Sequence, residues 1–91
     1  MILEHEVIEQ IEDEANGRAI EWVRNLLSDL GAGEPFLIIR EMWRAGYLTV
    51  VDETGREVPR WQCEEMWRGQ REPHDAYLVA TALGVKWVHG R

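Results

Sequence analysis

Residues 35–61 constrain the fold more than any other stretch, because they predict a helix, a helix stop and a β-hairpin in direct succession. Phe36 and Ile39 begin an apolar helical spacing directly after Pro35, whose missing N–H costs nothing in a first helical turn. Gly46 follows at the position where helices commonly end in a left-handed residue. A chain with this segment is expected to mix helix with antiparallel strand.

The second half of this segment predicts the hairpin. Residues 47–51 are aromatic and β-branched, which favours a strand. Residues 52–55 form a turn in which Gly55 can take a positive φ. Residues 56–61 return as the second strand, which we expect to be short or at an edge, because Pro59 has no N–H to donate.

The negative charge is concentrated in the first third of the chain. The 91 residues carry a net charge of −7, and residues 1–34 hold nine acids against Arg18 and Arg24, whereas residues 35–91 are balanced. Affinity for nucleic acid depends on neutralising phosphates, so this balance disfavours a general DNA or RNA binder. The length and the 45% hydrophobic content indicate one small domain.

The sequence also bears on where the protein works. It contains no apolar run long enough to span a bilayer and no signal-peptide pattern, so we expect no membrane contact. The single cysteine, Cys63, excludes an internal disulfide framework and is typical of a reducing compartment. A cytoplasmic protein is expected.

The acidic N-terminal part, residues 1–30, predicts two amphipathic helices. Residues 2–15 and 18–30 each carry an apolar stripe, and Asn16-Gly17 separates them, with Gly17 ending the first helix. The two stripes also join into one seam from Ile8 to Leu30. A single long helix that pairs with a second copy in a homodimer is therefore the alternative.

The C-terminal part, residues 60–88, predicts two helices and a strand. Residues 60–69 have a helical pattern, and a second helix is expected from Pro73 to Gly84. Residues 85–88 are expected to form a short terminal strand. Together with the helix–hairpin unit of residues 35–61, these patterns predict a single α+β domain over residues 1–91, mostly helical, with a β-hairpin and a short C-terminal strand.

No catalytic residue, metal site or cofactor is predicted. His5, Glu9 and Glu12 share a helix face, but a solvated acidic surface explains them better than a metal site. Cys63 has no cysteine partner at a zinc spacing, and a core thiol is favoured over a nucleophile.

Interaction surfaces are the better candidates. The acidic face of the first helix is expected to bind a protein partner with a basic surface, and three tryptophans are candidate interface anchors. The acidic residues are Glu4, Glu6, Glu9, Glu12 and Asp13, and the tryptophans are Trp22, Trp43 and Trp61.

Residues 26–61 resemble the winged-helix family. Residues 27–31 look like the second helix and turn of that fold, residues 35–45 like its recognition helix, and residues 46–58 like strand, wing and strand; residues 2–15 would supply the preceding helix. The resemblance implies a DNA-binding regulator whose phosphate contacts would be Arg40, Arg44, Arg56 and Arg60. The recognition-type helix begins with apolar residues, which read base edges poorly, so use of the fold for protein contacts is favoured.

Residues 74–88 resemble the end of PIN-domain nucleases, with Asp75 at an acidic metal-binding position of an Asp-Ala-x-x-x-Ala helix. Glu34 and Asp52 would be further acids. The resemblance implies metal-dependent cleavage of RNA, which requires several converging carboxylates. The function expected from the whole sequence is a non-enzymatic regulatory or adaptor protein acting by protein–protein interaction.

Overall fold

The computed structural model describes residues 2–90, which contain five helices and three short strands. They are α1 (Leu3–Ile11), β1 (Arg18–Ala19), α2 (Ile20–Asp29), α3 (Pro35–Arg44), β2 (Leu48–Asp52), α4 (Arg60–Trp67), β3 (Ala76–Ala80) and α5 (Ala82–His89). The expected α+β class is confirmed.

The N-terminal part forms two helices, as predicted, and the single long helix is wrong. α1 ends at Ile11, earlier than expected, and β1 separates it from α2. Gly17 does have a positive φ of 72°, but it lies at the entry to β1 and does not end α1. A Cβ atom there would overlap the carbonyl group of Leu78, so glycine is needed where the chain meets the sheet. Because Ile8 and Val23 are fully buried in the core, the apolar seam does not form a coiled-coil surface.

The helix and stop predicted for residues 35–46 are confirmed. Gly46 has a φ of 86° directly after α3. Its N–H donates to the carbonyl of Trp43 at 3.1 Å, and the N–H of Tyr47 donates to that of Met42 at 3.0 Å. This is the Schellman pattern, which satisfies the last carbonyls of a helix and turns the chain sharply into β2.

The predicted hairpin forms only in part. β2 is confirmed, but the returning residues make one isolated bridge, Val51 to Glu57, and Pro59 then leads into α4. The main partner of β2 is β3, which pairs with all five of its residues. In the sequence, residues 53–75, which include α4, therefore connect two strands that pair with each other.

The prediction for residues 73–88 is wrong in the order of its elements. The expected helix is strand β3, and the expected terminal strand is helix α5. Residues 76–80 alternate between buried and half-buried side chains, and a central strand offers them partners on both sides. Gly84 lies inside α5 rather than at a helix end, since that helix must approach the backbone of Tyr47 closely.

The sheet is antiparallel with strand order β1-β3-β2, and one of its faces enters the core. Leu48, Val50 and Leu78 point to that face and are almost fully buried. Ala76 of β3 also belongs to the core. Helices α1, α2, α3 and α4 contribute the remaining core side chains, which are Val7, Ile8, Ile11, Ile20, Val23, Leu27, Ile39, Met42, Cys63, Met66 and Trp67. Within residues 2–90, no helix is long and apolar enough to cross a membrane.

Candidate functional site

The five acids assigned to partner binding lie on α1 and in the turn that follows it, and they differ in exposure. Glu9 and Asp13 are exposed, whereas Glu4 and Glu6 are half-buried. Glu12 Oε2 lies 2.9 Å from His89 Nε2, which ties the end of α1 to α5. The carboxylates most available to a basic partner are therefore those of Glu9 and Asp13.

The three candidate tryptophans have different surroundings. Trp61 in α4 is 61% exposed, and Trp22 in α2 is 38% exposed. Trp43 in α3 is half-buried, with its ring centroid 5.7 Å from that of Trp67. A tryptophan side chain that is mostly exposed to solvent does not belong to the core, and exposed tryptophans are typical anchors of protein interfaces. Trp61 fits that description best.

Each exposed tryptophan lies beneath an arginine. The Arg71 guanidinium carbon is 5.6 Å from the Trp61 ring centroid, and that of Arg18 is 4.5 Å from the Trp22 ring. Such cation–π contacts at exposed sites contribute about 0.5–1 kcal/mol each. Both rings therefore contact an arginine and remain partly exposed to solvent.

Helix α4 lies against α3 through an aromatic cluster and an ion pair. The Trp67 ring centroid is 6.3 Å from that of Phe36, and the Arg60 guanidinium carbon is 4.7 Å from the Trp43 ring. Arg44 Nη2 lies 3.1 Å from Glu64 Oε2. These contacts make one continuous surface, here called the α3–α4 face.

The four arginines assigned to phosphate contacts do not form one free basic patch. Arg40 Nη2 lies 3.2 Å from the Glu41 carboxylate, and Arg44 is paired with Glu64. The hydrogen bond from Arg44 holds the pKa of Glu64 below its usual range. Arg60 covers Trp43, so these three share the α3–α4 face, whereas Arg56 belongs to the turn after β2.

Two of the three acids suggested by the nuclease resemblance lie near each other. Asp52 and Asp75 both line a cavity of about 400 Å³, whereas Glu34 lines another at the start of α3. Asp75 has a φ of 56°, which an aspartate tolerates better than most residues. The carboxylate of Asp52 accepts hydrogen bonds from the backbone and hydroxyl of Thr54, which lower its pKa. Among residues 2–90, no three His, Cys, Asp or Glu side chains are grouped to hold a metal ion.

Cys63 is a core thiol, as predicted. It is fully buried, and its Sγ–H points to the carbonyl of Val58 at 3.8 Å. Burial, with the nearby charges of Glu57 and Glu64, raises its pKa to about 11. The nucleophile is the thiolate, so this protonated thiol is unreactive near neutral pH.

The structure also contains a surface that the sequence analysis missed. Val51, Tyr77 and Val79 line a depression of about 510 Å³ on the sheet face that points away from the core. The alternation of side chains in residues 76–80 was the signal that could have found it, because a strand there places Tyr77 and Val79 on one face.

Comparisons of the chain with protein-family models, curated proteins and solved structures found no match.

Proposed function

We propose that this chain is a small non-enzymatic regulatory or adaptor protein that binds another protein. The observation that carries the proposal is Trp61, which is 61% exposed on a helix whose opposite side is anchored in the core by Cys63, Met66 and Trp67. Rigidly held, solvent-exposed aromatic residues are the usual anchors of protein interfaces. The exposed carboxylates of Glu9 and Asp13 would favour a partner with a basic surface.

The scaffold that we propose for this role is winged-helix-like. Helices α2 and α3 followed by β2 stand in the order that the resemblance implied, and α1 precedes them. The strand that pairs with β2 is β3, not the residues up to 58 that the resemblance assigned. In this proposal residues 53–75 are an enlarged wing that carries α4. The single, buried cysteine agrees with a cytoplasmic location.

The test is quantitative capture of partners from host lysate with the purified protein and matched variants. Trp61→Ala should reduce the yield of a specific partner, and the double variant Glu9→Lys, Asp13→Lys should do so in a salt-dependent way. Trp22→Ala is the matched control for loss of a partly exposed tryptophan on another helix. Deletion of residues 1–15 would be uninformative, because it removes Val7, Ile8 and Ile11 from the core. An identical set of captured proteins with Trp61→Ala and wild type would contradict the proposal.

The second candidate is a winged-helix DNA-binding regulator. It is favoured by the same element order and by the three arginines on the α3–α4 face, Arg40, Arg44 and Arg60. The pairing of Arg40 and Arg44 with carboxylates opposes it, since each pair must open before a phosphate is neutralised.

Fluorescence anisotropy of labelled random duplex DNA at low and moderate salt separates the two candidates. Tight binding with a steep salt dependence, reduced in Arg44→Ala or Arg56→Ala, would favour the DNA-binding candidate. Absence of binding at low salt would leave the protein-binding proposal in place. Mn²⁺-dependent RNA cleavage that disappears in Asp75→Asn would contradict both and support the nuclease resemblance.

A further inference from the structure

The outward face of the sheet is apolar. Strand pairing sets Val51 and Ala19 beside Tyr77, and Thr49 beside Val79, all on the side opposite to the buried Leu78. The exposed face of an antiparallel sheet normally carries polar side chains that alternate with the core residues. Thr49 is the one non-aromatic polar residue in this set.

This face is concave as well as apolar. Val51, Tyr77 and Val79 form the floor of the 510 Å³ depression, and its walls are Ala15 with Asn16 on one side and the turn at residues 52–55 on the other. The three floor residues are half-buried. A depression of this size accommodates several side chains of a partner, and filling it would remove apolar surface from water.

A partner strand is not expected to extend the sheet. The outer edge of β2 is occupied, because Val58 N–H donates to the carbonyl of Val50 and Asp52 N–H to that of Arg56, both at 2.8 Å. At the other edge, β1 is only two residues long. Binding would therefore use side chains that lie on the face of the sheet rather than backbone hydrogen bonds at its edge.

The charges around the depression are mostly negative. Asp52 and Glu53 line it. Glu57 lies beside the outward-facing Thr49, and its carboxylate is 3.5 Å from the Thr49 hydroxyl. Arg56 is the base in the same turn. Of the two acids that precede Ala15 in the chain, Glu14 is neutralised by Arg18 at 2.9 Å, and Asp13 is exposed. The electrostatic complement of this rim is a cationic ligand.

We propose that the outward sheet face binds a basic amphipathic segment of a partner protein. Its apolar side chains would cover Val51, Tyr77 and Val79, and its lysines or arginines would reach Glu53 and Glu57. The Tyr77 ring offers a further contact for a cation. This inference rests on the proposed protein-binding function and assigns the partner segment to a surface separate from Trp61.

The experiment uses the whole chain, labelled with ¹⁵N, and two synthetic amphipathic peptides that share their leucines. One peptide carries lysine at every polar position and the other carries glutamate. We expect the lysine peptide to cause saturable chemical-shift changes at the amides of residues 51, 77 and 79, with an affinity that falls as salt is added. The glutamate peptide should cause no change there.

Two charge reversals of equal size test the location. Glu53→Lys should weaken binding of the lysine peptide about tenfold, corresponding to about 1.4 kcal/mol. Asp29→Lys, at the exposed end of α2, changes the net charge equally and should weaken it much less. Val51→Lys should abolish the shifts at residues 77 and 79, with folding checked from the remaining amides. Shift changes confined to α1, or equal weakening by Glu53→Lys and Asp29→Lys, would overturn the inference.

Failure of this inference is distinguishable from failure of the proposed function. If Trp61→Ala loses a specific partner while the sheet-face amides do not respond to the lysine peptide, the protein-binding function stands and the sheet-face site is wrong. If Trp61→Ala captures the same proteins as wild type and the peptide does not bind, both are wrong.

Discussion

The Cα of Gly84 lies so close to the carbonyl oxygen of Tyr47 that a methyl group at this position would overlap that oxygen. The same carbonyl accepts a hydrogen bond from the Thr81 N–H at 3.1 Å, and the Tyr47 ring stacks on Trp87 at 4.4 Å. Helix α5 is thus joined to the start of β2 by backbone, side chain and close packing together.

Gly84→Ala is therefore expected to lower the free energy of unfolding by about 1–3 kcal/mol, the usual cost of inserting a methyl group into a packed site. Gly33→Ala is the control, because nothing lies within 4 Å of a Cβ atom there. It should change stability by less than about 0.5 kcal/mol. Urea unfolding followed by circular dichroism measures both. Equal stability of the two variants would show that α5 can move away from Tyr47 at little cost.

Trp67 and Trp61, on the same helix, should respond differently to removal. Trp67 is 8% exposed and contacts Trp43 and Phe36, so Trp67→Ala should cost about 3–5 kcal/mol. Trp61→Ala should cost at most about 1 kcal/mol, because it loses mainly the contact with Arg71. Thermal and urea unfolding measure the difference. A large loss of stability in Trp61→Ala would mean that this ring serves folding rather than binding.

The indole Nε1 of Trp67 is buried and has no hydrogen-bond partner among residues 2–90. A buried donor without an acceptor costs about 1–3 kcal/mol, which offsets part of the stabilisation from burying the ring. Trp67→Phe keeps an aromatic ring and removes the donor, so it should be much less destabilising than Trp67→Ala. Equal losses in both variants, measured by urea unfolding, would contradict this.

Stability should fall between about pH 9 and pH 11 because of Cys63. Its pKa is about 11 in the folded protein, against an ordinary value of 9.0. In this range the unfolded thiol loses its proton while the folded thiol keeps it, so ionisation favours the unfolded state as pH rises. Urea unfolding at several pH values should show this decline in wild type and a smaller one in Cys63→Ala. Identical declines would assign the effect to other groups.

The pairing of Arg44 with Glu64 can be measured directly. Arg44→Ala should raise the pKa of the Glu64 carboxyl, because the hydrogen bond from Arg44 is the main cause of its lowered value. Arg40→Ala is the control, since that guanidinium bonds to Glu41. Carbon-13 NMR of the carboxyl groups during acid titration resolves the two. A Glu64 titration unchanged by Arg44→Ala would mean that the ion pair does not persist in solution.

Local patterns were sufficient to predict much of the first two thirds of the chain. Both α3 and β2 were predicted, and so was the glycine stop between them, because Gly46 needs only its own positive φ and two nearby carbonyls. The two helices of the N-terminal part were also predicted, because each has its own apolar stripe. Their boundaries were less accurate, since β1 exists only through its pairing with β3.

Long-range pairing explains what the sequence did not predict. Ala76, Val79, Ala80 and Leu83 are spaced as on a helix, yet residues 76–80 also alternate as in a strand. The choice depends on β2, a partner more than twenty residues earlier in the chain. Gly84 was predicted to end a helix. Glycine is needed there because α5 packs closely against the backbone of Tyr47, and no local sequence pattern reveals that contact. The same long-range pairing creates the outward sheet face, so that candidate site could not be predicted without β3.

The position of β3 at the centre of the sheet has a consequence for synthesis on the ribosome. β3 comes after both of its neighbours in the chain, so β1 and β2 emerge first and have no strand to pair with. Until residues 76–80 leave the exit tunnel, the nascent chain can form α1 to α4 but not its sheet. The Leu48 and Val50 side chains are then exposed during translation. The sheet and its core face form only when β3 pairs with both β1 and β2.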